Sequence, residues 1–218
     1  MRELPLFPLN TVLFPGVPIS LHIFEPRYKL MVEQCLRAGE PFGVVLIKEG
    51  LEALGPLAEP HPVGCSAQIT QVERLDDGRM NIVAVGLERF QIRALVRDKP
   101  YLVFSVESFP LNEGNAQVVA QAGERLRPWV ERYLAILSRV SQDASFDLDR
   151  LPLDPKALGY LAAALAQIPL DQKQSLLATE QAAALLTDIR AIYRREVALL
   201  SAMIEREAKL KSGLFSAN

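Results

Sequence analysis

Four side chains in this sequence could bind a metal or act as nucleophiles: His22, His61, Cys35 and Cys65. Structural zinc sites hold their ligands in closely spaced pairs, because two ligands on one turn are positioned together. Only His61 and Cys65 approach that spacing, and Pro60, Pro62 and Gly64 exclude the helix that would bring them onto one face. The sequence therefore predicts no metal site and no cofactor. Cys35 is expected to pack on a helix, Cys65 to sit in a strand, and both histidines to lie at the surface or an edge. A Cys–His nucleophile lacks the third group that would orient its base. Two carboxylate pairs remain, Asp76-Asp77 and Glu205/Glu207. The first belongs to a turn and the second to a charged helix end, so both read as solvated faces rather than acid–base machinery. One further cluster stands out, an acid, a base and an aromatic around a proline: Glu25-Pro26-Arg27-Tyr28.

Nucleotide and acyl-transfer signatures are missing from the 218 residues. No G-x-x-x-x-G-K-[ST] cradles phosphates, no G-x-G-x-x-G follows a strand, and neither G-x-S-x-G nor S-x-x-K occurs. Net charge is −2, and neither half is basic: 11 Lys/Arg face 13 Asp/Glu before residue 111, and 13 face 13 after it. That balance opposes nucleic-acid or anionic-membrane binding, which needs a clustered positive face. Pro5 and Pro8 interrupt the first apolar run, so no secretory leader is expected, and no stretch reaches the roughly 18 uninterrupted apolar residues of a membrane span. Two cysteines without a leader predict reduced thiols and a cytoplasmic location.

The elements that must position these residues fall into two halves. Nine of the 15 prolines precede residue 63, which disfavours long helices there. "ELPLFPL" suits an edge strand or an extended entry segment, "FPGVP" holds a Pro-Gly turn, and Val17 to Phe24 and "FGVVLIK" read as strands. Between the last two, Pro26 suits a first helical position, with Glu25 beside the positive end of the helix dipole. Tyr28, Met31, Val32, Cys35 and Leu36 then recur at helical spacing, and Gly39 is a stop. Asp76-Asp77-Gly78 joins two alternating runs as a hairpin, Gly86 marks a bulge or bend, and "YLVFSVESFP" is a last strand. About six strands and one short helix predict a small β-barrel or folded-over sheet over residues 1–112.

After residue 112 the pattern becomes helical. Residues 116–140 form a helix kinked or restarted near Pro128, 155–167 a buried Ala/Leu-rich helix, and 171–177 a short helix with Asp171 as N-cap. A long last helix follows from about 180 to 211, with Leu186, Ile189, Tyr193, Val197, Leu200 and Ile204 as its apolar stripe. The expected domains are 1–112 and 113–218.

Three stretches carry a family resemblance. "LPLFPLNTVLFPGVPISLHIFEPRYKLMVEQCL" resembles the opening of the amino-terminal domain of Lon proteases, with its FPG turn and FEPRY helix start. "GCSAQITQVERLDDGRMNIVAVGLERFQI" is similar to that domain's central hairpin, including the pattern ending in Arg89, Phe90 and Ile92. "LGYLAAALAQIPLDQKQSLLAT" resembles its helical part. The resemblance implies an α+β fold, a PUA-like β-barrel followed by a helical bundle with a long last helix. It also implies a non-catalytic module that recognises unfolded or damaged polypeptide, with a protease or chaperone as a further candidate partner. The ATPase P-loop and Ser–Lys proteolytic module of full-length Lon are not in this sequence, so neither activity is implied. The competing reading is RNA binding through the PUA-like fold, which the charge balance opposes. Oligomeric state is not addressed by the residues.

Peptide contact, if present, draws on two groups of residues. Phe14 and Val17 flank the Pro-Gly turn and would offer an exposed apolar patch; alternatively they plug the barrel end. Glu25, Arg27 and Tyr28 would form a polar rim beside that patch; alternatively Glu25 serves the helix dipole, Arg27 bonds a neighbouring acid or carbonyl, and Tyr28 packs under the barrel.

Overall fold

The computed structural model describes residues 1–50, 59–140 and 148–215. The chain groups into two compact units, Met1–Asn112 with Ala163–Glu180, and Glu113–Ala162 with Gln181–Asn218.

The first unit is built on seven strands: β1 (Arg2–Leu9), β2 (Pro18–Ile23), β3 (Phe42–Glu49), β4 (Glu59–Pro60), β5 (Val63–Arg74), β6 (Met80–Arg97) and β7 (Val103–Ser108). Helix α1 (Pro26–Ala38) lies between β2 and β3. The hydrogen-bonded path runs β1-β7-β6-β5-β3 and returns to β1 through a parallel pairing of β1 with β3; all other pairings are antiparallel. β1 is thus not an edge strand, contrary to the reading of its prolines. Its first half, Arg2–Pro5, pairs with β7, and its second half, Leu6–Leu9, with β3. Leu6 sends its N–H to Leu102 O at 2.8 Å, on the β7 side. Strand alternation turns Pro8 the same way, away from β3, so the missing N–H costs no ladder bond.

Helix α1 follows its sequence pattern. Pro26 opens it, the Glu25 carbonyl accepts from Tyr28 and Lys29, and Gly39 closes it at φ 68°, where a side chain would be strained. Tyr28, Met31, Val32 and Cys35 bury against Phe7, Leu13, Ile23, Phe42 and Ile82 in the main core. The β5–β6 hairpin turns at Asp77-Gly78, where Asp77 accepts the Arg79 N–H at 3.0 Å. That backbone bond, with the Arg79 side chain, holds the Asp77 carboxyl below its ordinary value. The pair Asp76-Asp77 therefore does turn work. Glu205 is exposed, and the side chain of Glu207 lies outside the described residues.

The second unit holds α2 (Ala116–Val140), most of α3 (Pro155–Leu165) and α5 (Ala182–Phe215). Asn115 Oδ1 caps α2 by accepting from Gln117 and Val118, and Asp154 caps α3 by accepting from Ala157 at 2.8 Å. Helix α2 runs through Pro128 without restarting; Pro128 and Glu124, whose carbonyl it leaves unmatched, both face solvent. On α5, Leu186, Ile189, Tyr193 and Val197 are buried, and the Tyr193 hydroxyl donates to Ala162 O at 2.9 Å. Beyond Val197 the apolar stripe surfaces, with Leu199, Met203 and Ile204 exposed.

Residues 163–180 depart from the expected division. They contain α4 (Leu170–Ala178), which starts after Pro169, with Asp171 in its first turn rather than at its cap. They group with the strands, not with the helices. The cause is a pair of buried polar residues. Arg89 on β6 is 2% exposed, and its Nη1 donates to both Leu177 O and Thr179 O at 2.6 Å. Gln174 on α4 donates to Val63 O of β5 at 2.9 Å. These carbonyls at the end of α4 have no partner within the helix, and they sit at its negative pole, where a cation is favoured.

Replacing Arg89 with Met should strand both carbonyls. At about 1–3 kcal/mol for each buried unpaired group, urea denaturation is expected to show a loss of roughly 2–6 kcal/mol, and α4 amides should exchange faster than those of β5. Stability within 0.5 kcal/mol of wild type, with α4 still protected, would mean that other contacts hold this helix.

Candidate functional site

Strand β2 pairs with β6 alone among the described strands, in the register Pro18↔Val85 to Ile23↔Met80. Its start is fixed by Gly86, whose N–H donates to Val17 O at 3.0 Å and whose carbonyl accepts from Gly16 at 2.8 Å. A Cβ at Gly86 would lie 2.3 Å from Phe14 O, so only glycine lets the turn fold onto β6 there. Because Val17 and Gly86 form a bonded pair, alternation aims the backbone of Ile19, Leu21 and Ile23 at β6. Pro18, Ser20 and His22 turn theirs outward, to an edge no other described strand occupies.

Beside that edge lies an apolar pocket of about 330 Å³, lined by Phe7 and Leu9 of β1, by residues 20–24, and by Glu25 and Tyr28. The Tyr28 ring stacks on Phe7 with centroids 4.0 Å apart. Arg27 lies over Tyr28, its Cζ 4.6 Å from the ring centroid, and its Nε and Nη2 both donate to Glu25 Oε2 at 2.9 Å. This intramolecular pair is partly buried. Glu25 thus serves Arg27 and makes no side-chain cap bond to α1.

The sequence candidates are placed as follows. Phe14 is fully buried, and Val17 is half-buried against the main core. Phe14 is therefore not an exposed anchor: the turn that carries it folds down onto Gly86, and its ring packs inward. Glu25, Arg27 and Tyr28 do come together, and Glu25 and Tyr28 line the pocket. The two groups do not form one patch. They lie at opposite ends of β2, whose six residues span about 20 Å. Sequence reasoning missed Phe24, which is 48% exposed and stacks near His22 with centroids 6.1 Å apart. Its signal was present: Ile19, Leu21 and Ile23 point inward, so the alternation sends Ser20, His22 and Phe24 outward.

A second apolar depression, of about 700 Å³, is lined by Pro60, Pro62, Ile92, Leu95, Leu102 and Phe104, with Lys48 paired to Glu59 at 2.6 Å. Its rim is rich in proline, so it offers apolar contact with few backbone donors. Both cysteines are buried, which disfavours the thiolate. Burial pushes the Cys35 thiol up to about 11 and the Cys65 thiol up to about 12. His22 Nδ1 lies 2.7 Å from Asn81 Oδ1. Among the described residues no group of three or more His, Cys, Asp or Glu could hold a metal ion. No described helix is long and apolar enough to cross a membrane.

Residues 3–194 match the family described as the ATP-dependent protease La (LON) substrate-binding domain. The chain belongs to that family. It is 25% identical over 212 residues to Lon protease 2 of Myxococcus xanthus, covering 95% of this chain and 26% of that protein. Lon protease 2 of Sorangium cellulosum is 26% identical over 216 residues, covering 94% and 27%. The chain thus spans about a quarter of the length of the curated relatives it matches. A solved Lon N-terminal domain protein from Xanthomonas campestris superposes with a TM-score of 0.60 at 28% identity, over 88% of this chain and 98% of that one. The N-terminal domain of a Mycobacterium avium complex Lon protease shares the fold, with a TM-score of 0.65 at 22% identity and the same coverages. Several residues that carried the resemblance prove structural in this LON substrate-binding domain. Pro26 opens α1, Gly86 admits the turn, Arg89 holds α4, and Phe90 is 1% exposed.

Two outcomes follow for this LON domain. Phe14→Ala should cost about 3–5 kcal/mol in urea denaturation, as a buried aromatic truncated to Ala does; a loss below 1 kcal/mol would return Phe14 to the surface. Both thiols should resist a disulfide reagent at pH 8 in the native protein and react in urea. The folded values lie above the ordinary 9.0, so the unfolded thiols ionise first. Their contribution to stability is complete below pH 9 and is lost as the pH rises towards 11–12. Rapid native labelling at pH 8 would contradict the burial.

Proposed function

We propose that this domain binds extended segments of unfolded or damaged polypeptide by adding them as a strand to the outer edge of β2, without cleaving them or hydrolysing ATP. The carrying observation is the open β2 edge beside an apolar pocket. The outward N–H and C=O groups of Ser20 and His22 would bond any peptide backbone, whatever its sequence. The pocket between β1 and β2 would take an apolar side chain, with Phe24 as a flanking contact. That combination suits a module that must accept many clients: backbone bonds supply generality, and the pocket selects for exposed apolar residues, which folded proteins hide. Family membership supports the same reading, and the returning strand path supports the description of the sheet unit as a PUA-like β-barrel. Passage of the client to a protease or chaperone belongs to this proposal.

Proline offers a selective test. Pro18 already occupies the outward phase of β2, so Ser20→Pro removes an outward donor at a phase where the strand accepts proline. Its melting temperature should stay close to wild type. Its affinity for a fluorescein-labelled unfolded casein should fall about tenfold, the equivalent of roughly 1.4 kcal/mol. Phe24→Ala should weaken binding in the same direction, while incubation with ATP or casein should give no turnover with any form. If Ser20→Pro and Phe24→Ala both bind casein as wild type does, β2 is not the site. ATP or casein turnover that persists through orthogonal purification would overturn the non-catalytic reading.

A further inference from the structure

The helical unit carries a concave surface that the peptide site does not use. Trp129 and Arg132 stand three residues apart on α2, and Ala191, Arg194, Arg195, Ala198 and Ser201 recur on one face of α5. Together with Val197 they line an open cleft of about 540 Å³. The hollow has a simple cause: alanine and serine keep the α5 face low, while the indole and the arginines rise around it. Trp129 is half-buried, and Arg194 Cζ lies 5.6 Å from its ring centroid. No Asp or Glu lines the cleft. Arg195 is matched by Glu196 at 3.3 Å, but neither Arg132 nor Arg194 makes an ion pair among the described residues. Two guanidinium groups with no ion-pair partner among the described residues therefore line one hollow beside an aromatic face.

We infer that this cleft docks an acidic segment of a partner protein, with Arg132 and Arg194 each gripping an Asp or Glu carboxylate. Guanidinium forks match carboxylates in two parallel hydrogen bonds, and stacking on an indole holds such a fork in a fixed plane, which lowers the entropy lost on binding. Charge complementarity selects the occupant. A nucleic-acid strand would need a positive track continuing beyond the cleft, and this chain has a net charge of −2. A short acidic peptide needs only the two free charges and the hollow. The site is independent of the β2 edge and uses different residues, so the failure of one leaves the other standing.

The probe is a fluorescein-labelled octaglutamate peptide, measured by anisotropy at low and moderate salt against the full chain. Wild type should bind it, more weakly as salt rises. Arg132→Ala with Arg194→Ala should weaken binding about tenfold, since two charge-assisted contacts are lost. Both residues are exposed, so the melting temperature should hold. Arg132→Lys with Arg194→Lys keeps the charge but not the forks, and should bind with intermediate affinity. Ser20→Pro should bind octaglutamate as wild type does, which separates this site from the peptide edge. Failure of wild type to bind at low salt would overturn the inference, as would unchanged affinity in the double Ala variant. A single-stranded RNA octamer that binds more tightly than octaglutamate, and loses affinity in the same variant, would reassign the cleft to nucleic acid.

Discussion

A guanidinium taken fully out of water organises this domain. Burying a charge costs several kcal/mol unless its donors are met, and Arg89 is buried to 2% exposure. Its Nη1 is met by the end of a helix. The Leu177 and Thr179 carbonyls are acceptors that α4 cannot satisfy itself, at the pole where its dipole is negative. The Phe109 ring lies under the same group, 4.8 Å from Cζ. The two carbonyls thus find a donor in Arg89 Nη1, and the pairing works only if residues 163–180 come back to the strands. A chain that would otherwise divide once, near residue 112, crosses between its two units three times.

The same strand that carries Arg89 creates the candidate site. β6 is 18 residues long and serves two partners in succession on one side, β2 along its first half and β7 along its second. Its register against β5 slips between Gly86 and Arg89, where Ala67 pairs with Gly86 but Cys65 pairs with Arg89. That slip, and the absence of a Cβ at Gly86, let the Phe14–Gly16 turn cross β6 and deliver β2 to it. β1 cannot close the gap on the far side of β2. Its N–H groups are shared between β7 and β3, and Pro8 turns a donorless backbone toward the opening. The unpaired β2 edge follows from how the other strands are committed.

What was legible in the sequence was local. The α1 stripe from Tyr28 to Cys35, the Asp77-Gly78 turn and the α5 stripe through Val197 each rest on contacts that periodicity or turn chemistry reports directly. The long strands and the family resemblance set the architecture. What was not legible depended on distant partners. Arg89 stands out in the sequence only as part of the family motif, and its acceptors lie 88 and 90 positions away. Phe14 reads as a turn residue, and its burial depends on a glycine in another strand. Glu25 and Arg27 lie together in the chain, but the sequence does not distinguish their tight mutual pairing from a rim that contacts a ligand. Phe24 was hidden by its neighbours, since the run around it reads as core until inward and outward positions are separated.

That separation would let one strand serve both stability and the proposed recognition. The inward residues of β2, Ile19, Leu21 and Ile23, pack on the core, and their backbones are spent on β6. The outward residues, Ser20, His22 and Phe24, add little to the fold and leave their edge available. A binding surface for unfolded chains must be apolar and hydrogen-bonding at once, the two properties that drive strands to aggregate. Here the hazard is limited by dimension. The free edge is six residues long, begins at a proline that cannot donate, and ends three residues before the proline that opens α1. A single extended segment fits such an edge, while a continuing sheet finds no ladder to extend.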